Sequence, residues 1–391
     1  MAEKIIVVAG PTASGKTRLG IALVQELGGE IVSADSMQIY RRMDIGTAKA
    51  TAAEQAAAPH HMIDVAEPWE NYSVARYVEE ASRCCEDIIS RGKIPVVVGG
   101  TGLYIDSLIS GRDFAANDGD EKLREELLAE YDRVGGEEML SRLREIDPER
   151  AAKLPAGDKR RIVRAIEIYK LTGMTITEHD AHTRALPPRY DAAQIILGYA
   201  DRAALYARID RRVDEMVAEG LFEEVQGLLD SGLSEQCTAM QAIGYKEPAM
   251  ALRGEISRGE AVELIKLGSR RYAKRQMTWF RRTQGALRID WDENPDFEAA
   301  RRLSTAFLHD SGILYIPHYE AGKNNMPVRE KGVGQNAENA ESPRHLFESG
   351  AARQERRHNV PYERLPASRD RARIRQLHRD PRFRRQAAAY L

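Results

Sequence analysis

Residues 4–17 read KIIVVAGPTASGKT. The β-branched apolar run Lys4–Ala9 predicts a buried strand, and the stretch Thr17–Leu27 predicts a helix. Between them, Gly10–Thr17 matches the phosphate-loop pattern GxxxxGK(S/T) at every constrained position. The alternative is a glycine-rich turn that arose by chance, but such a turn requires neither a strand before it nor a helix after it. The stretch therefore predicts an α/β protein that binds phosphate groups.

Each part of this loop has its own physical role. The glycines let the backbone approach phosphate oxygens, so that several N–H groups can point inward as an anion nest. The N-terminus of the following helix adds a partial positive charge, and Lys16 adds a full one. The hydroxyl of Thr17 can ligate Mg²⁺.

The rest of the N-terminal third continues the strand–helix alternation. Glu30–Ser33 predicts a second strand, Val74–Ser90 a helix and Ile94–Val98 a continuous apolar strand. Strands buried on both faces have this composition in parallel sheets. The order predicts a phosphate-loop-containing, doubly wound parallel sheet with right-handed crossovers.

Two strand ends carry information about the reaction. Asp35 follows the second strand, so a doubly wound sheet would bring it to the carboxyl edge near the phosphate loop. A carboxylate there can ligate a metal through water or accept a proton, although a turn or N-cap residue is the simpler interpretation. Enzymes that transfer a nucleotide γ-phosphate usually end an apolar strand in a metal-holding Asp. Here the strand Ile94–Val98 ends in Gly99-Gly100-Thr101 instead, which indicates different chemistry.

After Gly111 the pattern becomes helical. We predict a core domain of residues 1–112 plus 186–312, a helical insertion over 113–185, and a disordered basic extension over 313–391. The predicted elements are helices at Glu121–Tyr131, Glu137–Glu145 and Lys159–Leu171, a strand at Tyr190–Leu197, and helical stretches at Arg202–Ser231 and Arg258–Arg282.

Composition excludes several classes of protein. The 391 residues are 42% apolar and 30% charged, and no apolar run approaches the length of a membrane helix. Three cysteines (Cys84, Cys85 and Cys237) cannot form a disulfide framework and lack the spacing of a zinc site. The net charge is −2, with 16 Lys and Arg against 9 Asp and Glu from Ile313 onward. Because the body is acidic, nucleic-acid contacts must come from local basic clusters. The N-terminal sequence lacks the pattern of a signal peptide, so we expect a cytoplasmic protein, and we also expect a monomer.

Several stretches together resemble the tRNA dimethylallyltransferase (isopentenyl-tRNA transferase) family. The resemblance covers roughly residues 4–295, in the family's order. The matching stretches are GPTASGKT, IVSADSMQIYRRMDIGTAK, HHMIDV, VVVGGTGLYIDSL, GDKRRIVRAIEIY, YARIDRRVDEM, AMQAIGYKE and RRYAKRQMTWFRR. Eukaryotic members carry a C-terminal zinc finger, for which this chain lacks the cysteines, so the bacterial form is the closer match.

The resemblance implies a role for particular residues. The family's loop holds the diphosphate of dimethylallyl diphosphate, which implies donor contacts from Gly10, Thr12, Ala13, Ser14, Gly15, Lys16 and Thr17. Arg212 resembles the arginine that also contacts the diphosphate, and Asp35 matches the residue that accepts a hydrogen bond from the amine. Catalysis is thereby assigned to Asp35, Thr17, Arg212 and Lys16, with Mg²⁺ as the cofactor. The implied tRNA contacts are Asp35, Ser36, Met37, Gln38, Thr101, Arg124, Arg160, Arg161, Ile162, Val163, Arg164, Ala242, Ile243, Gly244, Tyr245, Lys246 and Glu247.

The family modifies the adenosine 3′-adjacent to the anticodon in tRNAs that read UNN codons. That base must leave its stack to reach a pocket, and RNA recognition favours splayed loops over stems. We expect the anticodon stem-loop to be held by the helical insertion and by a basic segment of the last predicted helix, which comprises Arg270, Arg271, Lys274, Arg275, Arg281 and Arg282. A solvated basic helix packed by Trp279 and Phe280 is the alternative.

Three other functions remain open at this stage. A small-molecule kinase would share the phosphate loop and an acidic residue near Asp35, with the insertion as a lid. An adenylate isopentenyltransferase would use the same donor on free AMP. A non-enzymatic, nucleotide-dependent RNA-binding switch would leave Asp35 and Arg212 without a role.

Overall fold

A single parallel sheet organises the molecule. The computed structural model describes residues 2–111 and 120–313. Its six strands pair in the order β3-β2-β4-β1-β5-β6, every pairing parallel. They are β1 (Glu3–Ala9), β2 (Glu30–Ala34), β3 (His60–His61), β4 (Pro95–Gly99), β5 (Tyr190–Tyr199) and β6 (Leu287–Trp291). The prediction of a doubly wound parallel α/β fold is confirmed.

Helices cover both faces of the sheet because its central strands are apolar on both sides. In β1, Ile6 and Val8 join one hydrophobic cluster, and Ile5 and Val7 join another. All four side chains are completely buried. The helices of this core and of the layer beside it are α1 (Lys16–Leu27), α2 (Ala52–Ala57), α3 (Val74–Ser90), α4 (Gly102–Ser110), α10 (Arg202–Ala218), α11 (Leu221–Asp230), α12 (Lys246–Leu252), α13 (Arg258–Phe280) and α14 (Phe297–Asp310).

The segment between α4 and β5 contains helices and no strand among its described residues. These helices are α5 (Glu121–Val134), α6 (Gly136–Ile146), α7 (Pro148–Ala151), α8 (Lys159–Thr172) and α9 (Ile176–Ala185). They enclose a hydrophobic cluster of their own, which includes Leu127, Leu143 and Ile162. A helical segment with its own core is what an insertion requires. The division of the chain at residues 112 and 185 stays a prediction, and the predicted disordered extension after Ile313 lies outside the described residues.

Some helices and strands differ from those predicted from the sequence. The stretch Arg202–Ser231 was predicted to be helical throughout, but it forms two helices that meet at Gly220, whose φ of 103° no helix accepts. The strands β3 and β6 and the helices α2, α4, α7, α9, α12 and α14 were not predicted. Seven of these eight are ten residues long or shorter, so they offer too few turns for a periodic signal.

The carboxyl ends of β1, β2 and β4 meet at one edge of the sheet. Strand β1 continues into Gly10, β2 into Asp35 and β4 into Gly100. Strand β4 lies between β1 and β2, so the phosphate loop and Asp35 flank the end of β4. The edge of a doubly wound sheet where its order changes direction is where ligands bind.

Candidate active site

A cavity of about 1080 Å³ opens at this edge and extends to the insertion. It brings together fifteen of the residues expected from the sequence: Thr12, Ala13, Lys16, Thr17, Asp35, Ser36, Met37, Gln38, Thr101, Arg160, Arg161, Arg164, Arg212, Ala242 and Ile243. It does not include Gly10, Ser14, Gly15, Arg124, Ile162, Val163, Gly244, Tyr245, Lys246 and Glu247 among its lining residues. One cavity therefore contacts the phosphate loop, Asp35 and the basic insertion.

Three carbonyl groups of the phosphate loop accept side-chain hydrogen bonds, one from within the loop and two from outside it. Lys16 Nζ donates to the Pro11 carbonyl over 2.8 Å, the Arg208 guanidinium to that of Ala13 over 3.2 Å, and Trp291 Nε1 to that of Ser14 over 2.8 Å. A peptide whose carbonyl is held on one side turns its N–H groups to the other. Ala13 (φ 62°) and Gly15 (φ 84°) supply the left-handed turns of such a nest.

Gln276, which sequence reasoning missed, joins the phosphate loop to the end of β4. Its Oε1 accepts the Thr12 N–H over 2.9 Å, and its Nε2 donates to the Gly100 carbonyl over 2.9 Å. The side chain is buried and comes from α13, more than 260 positions along the chain from Thr12. No local pattern could have revealed this pairing.

The glycine pair after β4 is explained by close packing. A Cβ on Gly99 would lie 2.1 Å from the carbonyl oxygen of Ala34, and one on Gly100 would lie 2.2 Å from Gln276 Nε2. Real Cβ atoms do not approach other atoms so closely. The space that a strand-end side chain would need is already occupied.

Two cations are crowded together at the donor end. Burial lowers the pKa of Lys16 to about 8; Asp35 opposes this shift, and the positive charge of Arg212 adds to it. Burial also lowers the pKa of Arg212. Groups that are buried with a like charge nearby are stabilised by an anion between them. The pair is therefore suited to a multiply charged anion.

Asp35 acts as a turn residue and also lines the cavity. Its Oδ1 accepts the N–H of Met37 over 2.9 Å and that of Gln38 over 3.4 Å. The next residue is tied to the end of β4, since the Ser36 N–H donates to Thr101 Oγ1 over 3.1 Å. The interpretation of Asp35 as a turn residue is thus confirmed, whereas its role in chemistry stays a prediction.

The cavity also offers oxygen donors suited to Mg²⁺. Thr17 and Asp35 both line it, and a hydroxyl and a carboxylate can complete a shell with phosphate oxygens and water. No three His, Cys, Asp or Glu side chains gather to hold a metal anywhere in residues 2–111 and 120–313. A metal held here would thus depend on the bound diphosphate for most of its ligands.

The insertion contributes a basic wall from α8. Arg160, Arg161 and Arg164 line the cavity, whereas Ile162 and Val163 are buried in the insertion's own core. The side chains of these two residues are therefore unavailable to RNA, and the arginines carry the charge of this wall. Arg124 lies outside the cavity and pairs with Glu167 at 3.0 Å.

Two further residues of the insertion face the cavity and were not expected. Arg150 and His179 line it, and within the described residues Arg150 Nε and His179 Nε2 are buried without a hydrogen-bond partner. Such orphaned groups are costly unless a ligand satisfies them. They extend the basic wall beyond the arginines of α8.

The segment 242–247 is mostly structural. Ala242 and Ile243 line the cavity, but Tyr245 and Glu247 are buried. Glu247 Oε2 accepts the Gly244 N–H over 2.8 Å, and burial raises the pKa of this carboxyl. Lys246, beside it, lies outside the cavity.

The basic segment, which runs along α13 and just beyond its end, lies partly at the cavity and partly away from it. Arg275 and Arg282 line the cavity together with Trp279, whose Nε1 donates to Asp106 over 2.9 Å. Arg270 instead pairs with Asp210, and Phe280 belongs to the core beneath the sheet. Arg271, Lys274 and Arg281 do not line the cavity.

Among the described residues, no helix is both long and apolar enough to traverse a bilayer.

Known proteins match this chain over most of its length. Residues 38–283 match the family described as IPP transferase, and residues 3–64 match the family described as isopentenyl transferase. A tRNA dimethylallyltransferase of Caldanaerobacter subterraneus subsp. tengcongensis is 48% identical over 282 residues, which are 72% of this chain and 90% of the relative. One of Thermoanaerobacter sp. is 47% identical over 312 residues, 79% of this chain and 98% of the relative.

Solved structures agree with these matches. The tRNA isopentenylpyrophosphate transferase of Bacillus halodurans superimposes with a TM-score of 0.59 at 39% identity, over 80% of this chain and 98% of its own. A eukaryotic dimethylallyltransferase described as acting on tRNA gives a TM-score of 0.67 at 30% identity, over 79% of this chain and 80% of its own.

Proposed function

The chain belongs to the IPP transferase family, and on that premise we propose that it transfers the dimethylallyl group of dimethylallyl diphosphate to an adenosine of tRNA. The acceptor atom is the exocyclic N6 amine of the adenosine 3′-adjacent to the anticodon, in tRNAs that read UNN codons. The products are N6-isopentenyladenosine and diphosphate. We further propose that the protein works as a monomer in the cytoplasm.

The observation that carries this proposal is the arrangement of one continuous cavity. The same cavity is lined by the phosphate loop with Lys16 and Arg212 (the donor end), by Asp35, and by the arginines of α8 (the acceptor end). A small anionic donor suits the first group, and a polyanionic acceptor suits the last. Asp35 is close enough to Lys16 and Arg212 to oppose the fall that burial causes in the pKa of both, so we infer that its carboxylate meets both substrates.

At the donor end, the chain's task is to accept the leaving charge. An allylic diphosphate ionises readily once that charge is neutralised, so inward N–H groups, Lys16 and Arg212 would stabilise the departing diphosphate. Mg²⁺, held by the Thr17 hydroxyl and the diphosphate, would neutralise further charge on the leaving group. The apolar cavity wall, which includes Val98, Ile209 and Val213, would exclude water that could trap the allylic cation.

At the acceptor end, the adenine amine is a poor nucleophile because its lone pair is delocalised into the ring. Asp35 would accept a hydrogen bond from this amine, orient it and take its proton as the new C–N bond forms. Such help is typically worth about 10²–10⁴-fold in rate. A base that reaches Asp35 must leave its stack, and the cationic wall would hold the flanking phosphates while it does.

The experiment is the transfer of radiolabelled dimethylallyl diphosphate to unmodified tRNA with a UNN-reading anticodon, beside AMP and ATP controls. We expect label on tRNA that depends on Mg²⁺. Label on AMP alone would identify an adenylate isopentenyltransferase, and ATP turnover without label transfer would identify a kinase. Ligand binding without any turnover would identify a binding switch.

A further inference from the structure

We propose that Glu224, which does not line the cavity, is a positioning residue that holds the acceptor side of the site in place. This inference rests on the proposed function, because it concerns how the tRNA substrate is received. Glu224 lies in the first turn of α11 and is half-buried. Its carboxylate is the point at which two cavity-lining segments are joined.

The first segment is held through three consecutive N–H groups. Glu224 Oε2 accepts the N–H of Asp44 over 2.9 Å and that of Ile45 over 2.8 Å, and Oε1 accepts that of Gly46 over 3.2 Å. These residues lie nearly 180 positions from Glu224 in the sequence. A carboxylate that accepts several backbone N–H bonds fixes the path of a loop that has no strand or helix of its own.

This loop in turn sets the position of Gln38. Gly46, Thr47 and Ala48 line the cavity, and Gln38 Nε2 donates to the carbonyls of Thr47 over 3.3 Å and Ala48 over 3.0 Å. Gln38 lines the cavity together with Asp35, and its N–H donates to Asp35 Oδ1 over 3.4 Å. A shift of the loop would therefore move an amide that faces the acceptor.

The second segment is held through Tyr245. Its hydroxyl donates to Glu224 Oε1 over 2.6 Å, and its ring is completely buried. A Cβ on Gly46 would lie 2.5 Å from this ring, so the ring packs directly on the first segment. Tyr245 follows Ala242 and Ile243, which line the cavity. One carboxylate thus joins the two cavity-lining segments.

The donor end is anchored independently of Glu224. The phosphate loop is held by Lys16, Arg208, Trp291 and Gln276. Asp35 is held chiefly by the Met37 N–H at 2.9 Å, since the N–H of Gln38, whose side chain contacts the Glu224-bound loop, lies at 3.4 Å. A perturbation of Glu224 should consequently impair tRNA binding and leave the donor and the Asp35 chemistry unaffected.

The test is Glu224→Gln, with Glu223→Gln as the matched control. Gln replaces one carboxylate oxygen of Glu224, which accepts hydrogen bonds, by an NH₂ group, which donates them. This NH₂ group would face the backbone N–H or Tyr245 O–H donors that the oxygen had bound. Glu223 is exposed, and its carboxylate makes one ion pair, with Arg258 at 3.8 Å. We expect Glu224→Gln to raise the KM for tRNA by about tenfold, as the loss of charge-assisted hydrogen bonds implies. The KM for dimethylallyl diphosphate and the kcat at saturating tRNA should each change by less than about twofold, and Glu223→Gln should match the wild type.

Tyr245→Phe keeps the buried ring and removes only the hydroxyl, so it should shift the KM for tRNA in the same direction by a smaller factor. The stoichiometry of donor binding measures the folded fraction of each variant. A merely structural role would lower that stoichiometry and kcat while the KM for tRNA stayed the same, and this result would overturn the proposal. Equal effects on both KM values, or no effect, would also overturn it. If the wild type failed to modify tRNA, the proposed function itself would fall first.

Discussion

The low pKa of Lys16 makes donor binding dependent on pH. In the ligand-free protein, burial and the nearby Arg212 lower this pKa to about 8, while Asp35 limits the shift. A bound diphosphate places several negative charges beside the ammonium group and so raises its pKa again. Binding must then take up a proton at any pH near or above 8, and affinity must fall as the pH rises through 8.

The magnitude follows from the titration of one group. With a pKa of about 8, about nine-tenths of Lys16 is protonated at pH 7 and about one-tenth at pH 9. If the bound state stays protonated throughout, the dissociation constant rises about tenfold between these pH values, which corresponds to about 1.4 kcal/mol. Proton uptake on binding should be about one half at pH 8 and about nine-tenths at pH 9.

Calorimetry can measure both quantities. A sulfur-bridged, non-transferring analogue of dimethylallyl diphosphate is titrated into the protein without divalent cations, in two buffers of different ionisation enthalpy. The terminal phosphate ionises near pH 6, below the window of interest. Lys16→Arg keeps its charge at every pH and should bind with no slope between pH 7 and 9. Constant affinity of the wild type with no proton uptake would refute the reasoning, and an equal slope in Lys16→Arg would assign the effect to another group.

Three other predictions test separate parts of the molecule. Asp35→Asn should lower the rate of dimethylallyl transfer by about 10²–10⁴-fold, while the affinity for the non-transferring analogue of dimethylallyl diphosphate stays unchanged; an unchanged rate would remove Asp35 from the mechanism. Arg275→Glu should weaken tRNA binding and reduce the slope of log K against log salt, whereas Lys274→Glu, outside the cavity, should do so less. If both variants kept the slope of the wild type, α13 would lie away from the RNA. Glu30→Gln should lower the free energy of unfolding at pH 7 by about 1–3 kcal/mol in urea titrations, because Arg91, Lys93 and His61 all bind the Glu30 carboxylate. Hydrogen bonding, chiefly from Arg91, lowers the pKa of Glu30, so the difference from wild type should persist at neutral pH and shrink only below about pH 4.3; a difference that grew in acid would contradict it.

Local patterns explain which features the sequence could predict. The phosphate loop needs a glycine, a lysine and a threonine within eight positions and a strand and a helix beside them, all of which can be read from neighbouring letters. The contacts of Gln276 with Thr12 and Gly100, and those of Glu224 with residues 44–46, could not be found this way, because these partners lie more than 170 positions away. They depend on the tertiary packing that brings α13 to the phosphate loop and α11 to the segment after β2.

Most of the segments to which the resemblance assigned substrate contacts reach the cavity, but the resemblance could not tell which side of each segment faces it. In α8, Arg160, Arg161 and Arg164 line the cavity, whereas Ile162 and Val163 pack into the insertion. The apolar character of those two residues was itself the signal, since a helix buries its apolar stripe and exposes its charges. Helical periodicity applied within the matching stretch would have separated the two groups.

The end of β4 explains how a phosphate loop comes to serve a different reaction. In enzymes that transfer the γ-phosphate of a nucleotide, a strand-end Asp holds the metal. Here a side chain at Gly99 would collide with the backbone of β2, and one at Gly100 would collide with Gln276. Gln276 uses that space to join the loop to β4, and it also occupies the Thr12 N–H. The carboxylate at this edge is that of Asp35, one strand over and fixed by its own turn, where it can meet an incoming amine. The end of β4 therefore has no room for the metal-holding Asp of a γ-phosphate enzyme, and Asp35 is the carboxylate that lies beside the phosphate loop.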